Sequence, residues 1–383
     1  MDNNRRNVWG ISSAFLFIFF GFGTAQQYLV ILLSAQNQRS VAIQSLLILY
    51  GTFLFSGIFI ASIIPRLGGL RRSLLLGAST YALFVFSIIF HSSLILYIAS
   101  FLIGLGASLL WVSSGQIIAD SSDNNTAGKN FAYQRIGMYI GNIFGIIVGG
   151  YLMRSLSFEK IYLILTCVII IGLLILLFVR PLKKEVAARI FRPYYIFNPS
   201  MLLLFPLIFI ADFLQAQVFT AMNLVVVNIL GIGSIVLMVT LLKISNIVGS
   251  FSSGILAAKH SKAILLSLLV IMAIIGCIFF ITSENIVILY SGVLMLGLSM
   301  ASIYPVTLAL LKETMPPEEY PYILGTFYVY SNIGVLTAIG SNSILSPKTS
   351  FLPGIFVLFL SFIGIFLFSR KKKNGVFLAK KQS

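Results

Sequence analysis

The chain reads as an all-α polytopic membrane protein, with twelve transmembrane helices arranged as two six-helix halves. Of its 383 residues, 58% are hydrophobic and only 9% are charged, and the mean hydropathy is +1.02. A water-soluble fold of this length would have too little polar surface to cover it, so the solvent must be lipid. Twelve apolar runs fill the sequence, most of them reaching the ~20 residues that a tilted spanning helix needs. Lysines and arginines collect in every second gap between the runs, as expected of a chain inserted in one orientation. Backbone polar groups find no water partner in hydrocarbon, so the runs must be helical, and the short alternating segments of a β-barrel are absent.

The first span, 8–33, follows Arg5 and Arg6 and is too long and uninterrupted for the apolar core of a cleaved signal peptide, so it is expected to act as its own targeting signal. The second and third, 41–64 and 73–90, flank the basic turn of Arg66, Arg71 and Arg72. The fourth, 94–119, leads through a short loop to the fifth, 129–152, which begins at Lys129, and the sixth is 161–179. Residues 180–199 are basic, carry prolines and read as a linker between a bundle of residues 1–179 and a second of residues 200–369. The second bundle holds spans 200–228, 234–257, 263–282, 286–311, 322–345 and 352–369, followed by a basic tail, 370–383. Cations on the even-numbered gaps and the two ends total 20 against four on the other face, which predicts cytoplasmic termini. A plasma membrane is the expected location, with the lipid bilayer as the first partner.

Composition also excludes function classes. The net charge of +16 is dispersed as helix flanks instead of being gathered on one soluble face, so no nucleic-acid partner is expected. Cys167 and Cys277 fall inside spans and read as small apolar fillers. The two histidines, His91 and His260, lie at loop edges, and no zinc-protease helix motif, phosphate-binding loop or cysteine cluster is present. The chain is therefore not expected to be an enzyme or to hold a cofactor or metal. A channel is disfavoured because no acidic ring or filter-like loop is visible.

A faint internal repeat accompanies the linker. The turn Ala61-x-x-x-Pro65-Arg66-Leu67-Gly68-Gly69-Leu70-Arg71-Arg72 is matched in the second half by Gly254-x-x-x-Ala258-Lys259-His260-Ser261-Lys262. With two six-helix halves, the chain resembles the major facilitator superfamily along nearly its full length. The resemblance implies a substrate site near the bilayer midplane. The first half further resembles the uncoordinated-ninety-three branch of that superfamily. Three stretches carry this: Asn7-Val8 leading to Gly21 through Leu29; Leu49-Tyr50-Gly51 through Gly68; and Leu102 through Trp111 with Gln116. That branch includes ion-channel regulators and receptor-trafficking chaperones. The superfamily's usual loop between its second and third helices has glycine and an acid where this chain has Ala61 and Pro65, so the charge lock built on that acid is altered.

Within the spans, polar residues mark candidate sites. A charge near the bilayer centre costs ~2.5 to 3.5 kcal/mol on insertion scales. Asp212 and Lys243 fall at similar depths, so they could pair structurally, or Asp212 could accept a coupling proton that Lys243 answers. Arg135 could snorkel or meet Asp120 and Asp123, or it could face an anionic substrate or close a gate. Gln26, Gln27, Gln116, Gln215, Gln217, Asn246 and Asn332 lie on helices that line the cavity in the superfamily, where interhelical bonding and ligand binding both explain them. Gly137, Gly141, Gly145 and Gly149 recur every four residues, a stripe that admits close helix packing. Their spacing is similar to the superfamily's glycine-rich antiporter motif, with Ile146 standing where proline is expected. The functional expectation is a secondary transporter of an unknown small solute by alternating access, with protons as the candidate coupling ion. The alternative is a non-transporting regulator or chaperone with a membrane-protein partner.

Overall fold

Each apolar run becomes one helix in the computed structural model, which describes residues 3–35, 37–152, 155–180, 192–217, 222, 225 and 234–373. The twelve helices among these residues are α1 (Asn3–Ala35), α2 (Arg39–Arg66), α3 (Leu70–Ser87), α4 (Ser93–Asp120), α5 (Ala127–Leu152), α6 (Phe158–Leu176), α7 (Pro199–Gln217), α8 (Ser234–Lys259), α9 (Lys262–Thr282), α10 (Ile286–Thr314), α11 (Tyr320–Ile344) and α12 (Leu352–Lys373). All twelve are long and apolar enough to cross a membrane. The seventh span was expected to reach residue 228; α7 is described to Gln217, and most of the remainder, with Arg154, Lys183, Lys184, Arg189, Lys380 and Lys381, lies outside the described residues.

Large apolar side chains such as Phe55, Phe178 and Phe356 stand 65%, 73% and 65% exposed, an arrangement that only a lipid solvent tolerates. Short connections are closed by local chemistry. After α2, the amides of Leu67, Gly68 and Gly69 donate to carbonyls of Ile63, Pro65 and Ile64, and the chain then turns through positive φ at Gly68 and Gly69. A side chain at either glycine would be strained. Asn285 caps α10 by accepting from the Val287 amide at 2.9 Å. Asp123 accepts from the Asn125 and Thr126 amides and the Thr126 hydroxyl, which closes the start of α5.

The helices form two compact units, residues 1–122 with 133–193, and residues 123–132 with 194–383. The division differs from a simple cut at the linker because residues 123–132 pack with the second unit. There a side chain on Gly128 would press on Ala257 at 3.1 Å, and the Phe131 ring stands edge-on to Tyr304.

Close backbone approach at glycines organises each unit. In the first, Cβ atoms added to Gly137, Gly141 and Gly145 of α5 would overlap the carbonyls of Ser12, Leu16 and Phe20 of α1, and one on Gly149 would overlap the Thr24 methyl. The four-residue repeat of α5 thus meets a four-residue repeat on α1. Gly21 and Gly172 join α1 to α6, Gly104 joins α4 to α2, and Gly77 joins α3 to α4. The second unit repeats the scheme six helices later. Gly334 joins α11 to α7, Gly364 joins α12 to α7, Gly249 and Gly297 join α8 to α10, and Gly276 and Gly292 join α9 to α10. The internal repeat that the sequence shows only in its loops is therefore a repeat of helix crossings.

Candidate functional site

Most hydroxyls in the spans are satisfied by their own helix. Ser12, Thr24, Ser100, Thr166, Ser302 and Ser361 each donate to the carbonyl four residues earlier, which explains a serine or threonine in lipid without any ligand. The amides and charged groups reach further and are placed individually.

In the first unit, Gln26 of α1 donates to the Tyr50 hydroxyl of α2, while Gln27 is half-buried beside it. Gln116 of α4 donates to Asp120 at 2.9 Å, and its side-chain oxygen is buried with no hydrogen-bond partner among the described residues. Gln134 of α5 donates to Ser114 of α4 at 2.8 Å. The Arg135 guanidinium lies over the Trp111 ring, 4.7 Å from its centroid, with Met138 sulfur 3.8 Å from Nη1. The acids expected to meet Arg135 are engaged elsewhere, Asp120 by Gln116 and Asp123 by the start of α5. Trp111 itself is wedged between Phe15 and Phe19 of α1.

In the second unit, half-buried Asp212 of α7 accepts a hydrogen bond from the Ser331 hydroxyl of α11. Among the described residues no ion pair joins it to Lys243, the structural pairing that the sequence left open beside a coupling role. The reason lies in the crossings: the Asp212 helix meets α11 at Gly334, whereas the Lys243 helix packs on α10 at Gly249 and Gly297. Lys243 is buried, at 2% exposure. Asn246 bridges that crossing, since its amide nitrogen, once its oxygen and nitrogen are assigned by the surrounding carbonyls, donates to Gly297 at 2.9 Å and Leu242 at 3.2 Å. Asn332 donates to the Tyr328 carbonyl of its own helix at 2.6 Å, and Gln215 is half-buried on α7. Gln217 ties α7 to Ser341 and to the Ser350 carbonyl. The Tyr304 and Tyr328 hydroxyls share a hydrogen bond of 2.6 Å between α10 and α11.

The basic turns act locally. Arg66 is exposed at the end of α2, Arg72 folds against Gly68, and Arg71 donates to the Leu177 carbonyl just past α6 at 2.6 Å, where a cation answers the helix's terminal carbonyls. Lys259 is exposed, and Lys262 forms an ion pair with Glu313 at 3.0 Å, tying the start of α9 to the end of α10. Outside the spans, hydrogen bonds from Thr126 hold the Asp123 carboxyl below its ordinary range, and the Lys348 ammonium does the same for Glu284. Among the described residues no group of three His, Cys, Asp or Glu is placed to hold a metal.

Sequence reasoning missed Ser331, Tyr50, Gln134 and the structural part of Asn7. Buried Asn7 donates to the Arg180 carbonyl at 2.9 Å and accepts from the Arg180 amide at 3.0 Å, pinning the start of the linker to α1. Asn7 was marked in the sequence only as part of the first stretch of the family resemblance, and a lone serine in a span, such as Ser331, carries no signal of its own.

A family profile described as Major Facilitator Superfamily matches residues 11–339. Curated relatives are similar over part of the chain. UNC93-like protein 3 of Arabidopsis thaliana is 30% identical over 38% of this chain and 28% of its own length. UNC93-like protein MFSD11 of Xenopus tropicalis is 25% identical over 47% and 42%, and protein unc-93 homolog A of Bos taurus is 29% identical over 42% and 35%. The matched stretch therefore spans less than half of each of these relatives. Among solved structures, the human organic anion transporter MFSD10 (TETRAN) superimposes with a TM-score of 0.78 at 13% identity, over 95% of this chain and 100% of that one. A bacterial homologue of the iron transporter ferroportin, in an outward-facing state, gives 0.74 at 13% identity over the whole of both chains. At these identities the structural likeness shows the shared fold alone.

Proposed function

We propose that this chain, which belongs to the Major Facilitator Superfamily, is a secondary transporter that moves a small solute by exposing its binding site to the two sides of the membrane in turn. The integral membrane fold and the family support a transporter. The observation that carries the finer reading is Asp212, a half-buried carboxylate on a spanning helix whose partner is the neutral hydroxyl of Ser331. A charge placed in lipid without a cation beside it is expensive, and the cost is understandable where the group is loaded and unloaded. We therefore assign Asp212 as the group that takes up a coupling proton. Gln26, Gln27, Gln116, Arg135, Gln215 and Asn332 are the candidates for solute contact, and Lys243 and Asn246 for support of the α8–α10 crossing. Both termini are proposed to face the cytoplasm of a plasma membrane.

The test is counterflow into proteoliposomes with a metabolite panel, with and without a pH gradient. Saturable uptake that responds to the gradient supports the reading, and Asp212→Asn should give a folded protein without that response. A non-transporting regulator or chaperone is the second reading, favoured by the likeness to the unc-93 proteins. It predicts no counterflow together with a co-purifying membrane partner.

A further inference from the structure

We propose that the first unit holds an anionic phospholipid by its phosphate, in a corner built from arginines at the start of α3 and just past the end of α6. The inference goes beyond the transport reading and does not depend on it. Two sets of bonds bring the corner together. Arg71 donates to the Leu177 carbonyl at 2.6 Å, and Arg180, three residues further on, is tied to α1 by its paired bonds with Asn7 at 2.9 and 3.0 Å. Arg71, its neighbour Arg72 and Arg180 are all exposed. Arg5 and Arg6 directly precede Asn7 on α1 and add their charge at the same end of the unit.

This charge is not answered within the unit. Its described acids are Asp120, which accepts from Gln116, and Glu159, which pairs with His91 at the far end of α6. Among the described residues no carboxylate lies at ion-pair distance from Arg71, Arg72 or Arg180. Arg71 keeps further N–H donors beyond the one given to Leu177. The matching corner of the second unit supplies its own acid, since Lys262 at the start of α9 pairs with Glu313 at 3.0 Å. Residue type separates a ligand site from the charge bias that orients the chain. Orientation needs only a positive charge, lysine and arginine alike, and the second unit uses Lys259, Lys262 and Lys312. The first unit uses Arg5, Arg6, Arg66, Arg71, Arg72 and Arg180, whose planar forks match pairs of phosphate oxygens.

What borders the arginines points to a lipid and not to a soluble phosphate compound. Phe178 adjoins Leu177 and is exposed, as is Leu174 one turn earlier on α6. On α3, exposed Leu76 lies one turn beyond Arg72. Charge therefore passes into apolar surface within about one turn on both helices. A diacyl phosphodiester is divided in the same way, with its phosphate for the guanidinium groups and its chains for Phe178, Leu174 and Leu76. A zwitterionic headgroup would bring a second cation to a corner already rich in them, so the ligand is an anionic lipid of the phosphatidylglycerol kind.

The experiment is native mass spectrometry of the full chain released from a neutral detergent, which counts bound lipid directly. The chain is titrated with phosphatidylglycerol, with phosphatidylcholine of the same acyl chains, and with glycerol 3-phosphate as a phosphate ester without chains. Saturable binding of phosphatidylglycerol is expected, tighter than that of phosphatidylcholine. A basic side chain at an acidic lipid surface is worth about fivefold in affinity, so Arg72→Gln combined with Arg180→Gln should weaken phosphatidylglycerol by about 25-fold. Lys259→Gln, an exposed cation of the second unit, should leave it unchanged. Arg72→Lys combined with Arg180→Lys keeps the charge that orients the chain and should still lose about threefold, because an ammonium lacks the fork. That variant decides if the glutamine one does not fold. Equal binding of the two lipids overturns the proposal, as does glycerol 3-phosphate binding as tightly as the lipid. Unchanged affinity in the arginine variants, or an equal loss in Lys259→Gln, overturns it as well.

Discussion

Replacing Gly141 by alanine tests the close crossing of α1 and α5 directly. A Cβ at this position would overlap the Leu16 carbonyl oxygen and sit 2.9 Å from its carbon and 3.0 Å from the Phe20 nitrogen. Carbon atoms rest at about 3.5–4 Å, so the helices must part by about 1 Å, and the contacts along the whole stripe weaken with them. Backbone atoms cannot rotate away as a side chain can. The expected cost is that of overpacking, about 1–3 kcal/mol. Gly51 of α2 is the control, because nothing lies within 4 Å of a Cβ built there. Gly51→Ala should be neutral or stabilising by up to ~1 kcal/mol through helix propensity. Gly149→Ala should fall between the two, since it meets the Thr24 side chain, which can shift. Thermal unfolding in detergent, followed by fluorescence of Trp9 and Trp111, ranks the three. If Gly141→Ala melts with the wild type or above Gly51→Ala, the crossing is not as tight as the steric argument requires.

Asn7→Ala leaves the amide and carbonyl of Arg180 without the side chain that pairs them, and should cost about 1 kcal/mol; Asn7→Asp, which keeps only the acceptor, should recover part of it in the same melting assay. Asp123→Ala removes the turn bonds to Asn125 and Thr126 just ahead of α5 and should lower the melting temperature. Because the Asp123 carboxyl is held below its ordinary value, its contribution is full above about pH 4 and fades as pH falls through the lowered folded value; a wild-type loss of stability in that window that persists unchanged in Asp123→Asn would contradict the assignment. Lys262→Glu should destabilise the α9–α10 junction, and the exchanged pair Lys262→Glu with Glu313→Lys should restore it, a recovery absent if the 3.0 Å contact contributes nothing.

The spanning helices were legible because each needs only its own residues. Hydropathy and length fix a helix in lipid, whose backbone bonds are internal to the segment. The basic turn at Gly68 and Gly69 was legible for the same local reason. The glycines of α5 announced a close approach by their spacing, though not the helix they approach. Polar residues divided differently. Gln217 and Asn246, read as open between ligand binding and interhelical bonding, bond across helices, and Arg135 rests on Trp111 while Asp120 and Asp123 serve their own turns.

What the sequence determined by itself, then, is the solvent, the number of helices and the positions of charge within them, since these follow from composition and periodicity along the chain. The partner of each buried charge was decided only when the helices crossed. Depth in the membrane placed Asp212 and Lys243 at one level, but the faces they present are set by where Gly334, Gly249 and Gly297 let backbones meet. Those contacts join residues far apart in the chain, Gly249 to Leu298 and Gly334 to Phe209 among them, as the Asp212 and Ser331 bond also does, and no local pattern encodes them.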